Sequence, residues 1–161
     1  MSLSLSAILT LAPPFVLGGG DEPIAPADLR VAAVARLRAI DDLTALVGER
    51  IFPDFRPQSQ ASPCVCVSVI DETEDVTIAA PGGCTISRLQ IDIYSRVKLD
   101  AIRAKKAIRQ ALHGTIGDWE DLTVRWCKKI GEADLSDRPD DGSDQWAFRI
   151  SQDFWVKYDT P

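Results

Sequence analysis

The chain has 161 residues, enough for one domain with its own hydrophobic core and no need of disulfide staples. Apolar residues make up 45% and charged residues 26%, a globular composition. The formal charge of −6 disfavours general nucleic-acid binding and anionic membrane surfaces, since both call for excess Lys and Arg.

The first 27 residues read as an arm and linker. Residues 6–17 are mostly apolar, and Gly18-Gly19-Gly20 with Asp21-Glu22-Pro23 follows as a linker signal. Ala25-Pro26-Ala27 has the look of a cleavage site, but there is no basic n-region and Pro13-Pro14 interrupts the apolar run. The run is also too short to span a bilayer. It is expected to dock on its own domain or on a neighbour.

Residues 28–161 read as a single α+β domain. Asp28 is a candidate N-cap for a helix whose apolar face is Leu29, Ala33, Leu37 and Ile40. Asp41 is a candidate cap for a short second turn with Leu43, Leu46 and Val47, and Gly48 stops it. Ile51-Phe52-Pro53 is a brief extended piece, and residues 56–62 are irregular.

Pro63 introduces a strand over residues 64–70, with Val65, Val67 and Val69 on one face. Asp71, Glu72, Thr73, Glu74 and Asp75 read as an acidic loop. The next strand spans about residues 85–94. Its Leu89, Ile91 and Ile93 face in, while Arg88, Gln90 and Asp92 face out. The two strands are expected to pair as a long-looped hairpin.

A second main helix spans about residues 99–113 and is closed by Gly114. Ala101, Ala104, Ile108, Ala111 and Leu112 form its buried stripe. Arg103, Lys105, Lys106 and Arg109 make its other side basic. Leu122, Val124, Trp126 and Ile130, alternating with Thr123, Arg125 and Cys127, read as a third strand.

Residues 132–144 read as a second acidic loop carrying Asp140 and Asp141. A last strand covers about residues 145–157, with Trp146, Phe148, Ile150, Phe154 and Val156 on one face and Arg149 and Trp155 on the other. The expected fold is therefore α+β: an antiparallel sheet of about four strands with two main helices packed on one face.

Catalytic and metal constellations are weak. The carboxylates cluster in loops rather than as a pair across a cleft. Residues 137–144 lack the spacing of a calcium loop, and Arg138 interrupts them. His113 is the only histidine, and it sits at a helix C-terminus, where an imidazole complements the dipole. Cys64, Cys66, Cys84 and Cys127 do not have zinc-site spacing and read as free, buried thiols. No phosphate loop, nucleophile elbow or dinucleotide fingerprint is present. The expectation is a chain with no enzymatic activity, no cofactor and no metal.

Segregation of charge is the positive signal. In a ring, the acidic segments of one subunit would face the basic helix of the next, a head-to-tail contact that closes by rotation. Candidate interface residues are Asp71, Glu72, Glu74, Asp75, Arg103, Lys105, Lys106, Arg109, Asp140, Asp141 and Trp155. Trp146 is expected in the core and Trp155 at the surface.

The order of elements carries a family resemblance. LRAIDDLTALVGERIFPDFRPQ (37–58) is followed by SPCVCVSVIDET (62–73), RLQIDIYSR (88–96), DAIRAKKAIRQAL (100–112) and WAFRISQDFWVKY (146–158). A helix ending near Gly48, an Arg-Ile-Phe-Pro turn at 50–53, a Pro-led strand and an Ala-rich helix resemble the tail completion or tail terminator family of tailed phages and gene-transfer particles.

That resemblance implies a virion structural protein at the head–tail junction, assembled in the host cytoplasm. It implies a homo-oligomeric, commonly hexameric ring that caps the tail tube and joins it to the head connector. DNA would pass at most through the ring lumen, and no membrane is involved. The alternatives are another neck position, such as stopper or adaptor, or a protein-binding module outside a virion.

Overall fold

In the computed structural model, which describes residues 28–57, 61–75, 83–137 and 147–159, Asp28 caps the first helix, α1 (Leu29–Arg38). Its Oδ1 accepts from the Arg30 backbone N–H at 2.8 Å, satisfying one of the amides a helix start leaves open. The Arg30 guanidinium folds back on the same carboxylate and also reaches Asp54 at 2.9 Å. Leu29, Ala32, Ala33 and Leu37 bury the inner face of α1. The apolar tail of residues 1–27 lies outside the described residues.

Helix α2 (Asp41–Val47) follows, with Ile40 rather than Asp41 at its N-cap. The Gly48 N–H closes it on the Thr44 carbonyl at 2.7 Å, and its φ of 58° suits a residue without a Cβ. Strand β1 (Ile51–Pro53) then runs parallel to β2 (Cys64–Asp75). Strand β3 (Cys84–Ser95) returns antiparallel to β2, with Val67 opposite Ile91.

Helix α3 (Lys98–Leu112) leads to a small strand, β4 (Gly117–Trp119), and the two long strands β5 (Leu122–Asp134) and β6 (Phe148–Asp159). The sheet order is β1-β2-β3-β6-β5-β4. The core lies between the helices and one face of the sheet, around Val65, Val67, Leu89, Ile91, Ile93, Ile108, Leu112, Ile150, Phe154 and Val156. Helix α1 touches β1 and β2 at one edge and β4 at the other, so the sheet curls round it as a half-barrel.

This architecture corrects the expected four antiparallel strands and two main helices. Among the described residues the sheet has six strands and is mixed, and there are three helices. β1 and β4 have three residues each, too few for an alternating pattern to register. The acidic segments were read as loops because of their charge. Asp71–Asp75 instead completes β2, and β5 runs on to Asp134. A strand end that meets water needs only its backbone ladder, so exposed acidic side chains do not end it.

Side-chain parity in β5 is also corrected. Register shifts between Val124 and Trp126, and again between Lys129 and Gly131, each insert an extra residue. Cys127 therefore turns inward at 1% exposure, while Trp126 and Ile130 turn out at 37% and 42%. The small-residue stripe of α3 is Ala101, Ala104 and Ala107 with Ile108 and Leu112. Ala111 sits at its margin.

Candidate functional site

Helix α3 spends part of its basic charge inside its own chain. Lys105 and Lys129 both donate to the Glu132 carboxylate, and Gln152 Nε2 donates to it at 3.2 Å. Lys98 lies 3.6 Å from Asp134. The second register shift in β5, between Lys129 and Gly131, puts Glu132 on the same face as Lys129, the face that α3 covers. Burial pushes the Glu132 carboxyl up, but the hydrogen bonds from Lys105, Lys129 and Gln152 outweigh it and hold the group down to about 2.

The remaining cations of α3 are on the outside. Lys106 and Arg109 are exposed and have no hydrogen-bond or ion-pair partner among the described residues. Arg103 comes only within 4.0 Å of Asp100, one turn back on the same helix. Arg103 and Lys106 form one wall of an open groove of about 290 Å³ between α2 and α3. Asp42 stands on the other wall, and Ala45, Leu46 and Ala107 are also part of the lining.

The acidic candidates lie on a different part of the surface. Asp71, Glu72 and Glu74 are exposed along the end of β2, and Asp75 closes that strand. Beyond Val67, where β1 stops, this side of β2 has no strand partner among the described residues. Glu72 accepts from the Tyr158 hydroxyl at 3.1 Å. Asp71 lies opposite Arg88 in register, but Arg88 pairs instead with Asp153 at 2.8 Å. Asp140, Asp141 and Trp146 lie outside the described residues.

The sheet face that none of the described helices covers carries a second cluster. Trp155 is half-buried and lies in register between Arg88 and Lys128. The guanidinium groups of Arg56 and Arg149 lie over the Tyr94 ring, 5.2 and 5.5 Å from its centre. Arg149 also pairs with the buried Asp92 at 2.9 Å.

Cys64 and Cys66 are buried on this side. Burial pushes the Cys66 thiol up to about 11 and the Cys127 thiol up to about 12, so neither is a thiolate at neutral pH. Among the described residues no cluster of three or more His, Cys, Asp or Glu could hold a metal ion. His113 Nδ1 accepts from the Lys129 backbone N–H at 3.1 Å, tying the end of α3 to β5.

Sequence reasoning missed Glu132 as the partner of Lys105, with Lys129 and Gln152 donating to the same carboxylate. It also missed the Arg88–Asp153 pair. Outward alternation on β3 and β6 signals the second pair, whereas nothing in the linear pattern signals the first, because it depends on a bulge.

The described surface thus carries a basic helical groove, an acidic strand end and a sheet face with Trp155 and Tyr94. The profile of the tail completion protein gp17 family matches residues 31–158, and the chain belongs to that family. It is thus a structural component of a virion tail, which is not an enzyme class.

Among solved structures, its fold is similar to a chain in the virion of a native gene transfer agent particle. The TM-score is 0.61 at 20% identity, covering 81% of this chain and 94% of that one. No curated protein matches the chain.

Proposed function

We propose that this protein is the tail terminator of its particle: a ring, hexameric by preference, that caps the tail tube when elongation ends and offers the surface that joins the head connector. The observation that carries this reading is the family match, which spans nearly the whole described fold. Lys106 and Arg109 of α3 and Asp71 and Glu74 of β2, which have no partner among the described residues, support it, because a head-to-tail contact brings opposite charges together. The partners are then copies of itself, the tube protein and a neck protein, with DNA crossing the lumen.

The test is to mix the purified chain with purified tail tubes and image them by electron microscopy. Rings seated at one end of each tube, and particles with overlong tubes when the gene is removed, are the expected results. Normal tube length in its absence would move the protein to another neck position.

A further inference from the structure

We infer that the groove between α2 and α3 is the seat of the acidic β2 edge of a second copy of this chain, a contact that rests on the ring reading above. Two kinds of complementarity point to it. The first is charge. Lys98 and Lys105 have carboxylate partners within the chain, whereas Lys106 and Arg109 have none among the described residues. On β2, Asp71 and Glu74 likewise have none, since Arg88 is held by Asp153.

The second is shape and polarity. The register shift between Val69 and Asp71 throws Ile70 outward, half exposed, directly beside Asp71. The edge thus presents an apolar knob flanked by acids. The groove presents the mirror of this: Ala45, Leu46 and Ala107 between walls, with Arg103 and Lys106 on the α3 wall. Leu99 and Ile102 extend the apolar surface along the outer face of α3, 52% and 40% exposed. Asp42 on the α2 wall directs the incoming acids toward α3.

Pairing of two β2 edges through their backbones is the competing mode of self-association. It is disfavoured, because both strands would bring the same run of carboxylates together.

Two charge-reversed chains test the contact: one with Arg103→Glu and Lys106→Glu on the groove wall, the other with Asp71→Lys and Glu74→Lys. A third chain carries all four changes. Light scattering over a concentration series reads self-association, and circular dichroism checks that each chain folds. Each two-site reversal is expected to weaken association about tenfold or more, and the four-site chain to recover it to within about threefold of the original.

Unchanged association in the two-site chains, or no recovery in the four-site chain, overturns the contact. If the reversed chains still form rings and cap purified tail tubes, only the contact falls and the terminator reading stands. If the original chain neither self-associates nor caps tubes, both fall.

Discussion

Lys105 of α3 donates to Glu132 of β5 within one chain, so the basic helix is partly neutralised by its own sheet. This divides α3 by role. Lys105 faces inward and clamps the helix to β5, while Lys106, the next residue, faces out with no partner among the described residues. Reversal of Lys105 therefore probes stability, and reversal of Lys106 probes assembly. A double change at both positions would confound the two.

Glu132→Gln should destabilise the fold by about 1–3 kcal/mol, because it removes the shared acceptor of two lysines, one of which, Lys129, is largely buried. Urea unfolding at neutral pH measures this. The Glu132 carboxyl lies at about 2 in the fold against 4.5 in the unfolded chain, so its contribution is fully present above pH 4.5 and is lost as pH falls toward 2. The Glu132→Gln chain should lose less stability across that window than the original chain. Equal acid sensitivity of the two chains would remove Glu132 from this role.

Gly131 stands against Asp153: a Cβ at this glycine would lie 3.3 Å from Asp153 Oδ2. That oxygen is held by Arg88 and is not free to move aside. Gly131→Ala should cost about 1 kcal/mol by disturbing the ion pair. The cost should shrink toward zero when Asp153 is also Ala, and a double-mutant cycle in urea reads the coupling. Additive effects would mean that the glycine answers to something other than this contact.

The sequence showed most where period and partner were local. The inward faces of residues 64–70 and 89–93, the cap at Asp28 and the stops at Gly48 and Gly114 all depend on near neighbours. Two kinds of feature were not legible. Strands of three residues give no period, which hid β4 and made β1 only a brief extended piece. Bulges break parity without changing composition, which put Trp126 on the wrong side and concealed the meeting of Glu132 with Lys105. The candidate surface was legible as segregated charge, but not which charges the chain keeps for itself.

Asp28 couples a helix cap to a long-range tie, since Arg30 bridges it to Asp54. The Arg30 hydrogen bond is the main cause that holds the Asp28 carboxyl below its usual range, against the upward push of burial. Asp28→Ala should cost about 1 kcal/mol, the ordinary value of a lost N-cap, and Asp28→Asn should cost less because its side chain still accepts from the backbone. Thermal melts of the two variants separate the cap from the charge. An equal loss for both would assign the effect to the Arg30 pair.

The four thiols should separate by accessibility. Cys64, Cys66 and Cys127 are buried, with burial raising the pKa of each, so they present little thiolate to a reagent in solution. Cys84 is only partly covered and sits at the sheet end, with its Sγ 3.5 Å from Asp159 Oδ1. A thiol-specific reagent at pH 7.5 should modify Cys84 first in the folded chain, and the other three only after denaturant is added. Peptide mapping identifies the site. Labelling of Cys64 or Cys66 at a rate matching Cys84 would mean that this sheet face, with Arg56 and Arg149 over the Tyr94 ring, opens in solution far more readily than its packing implies.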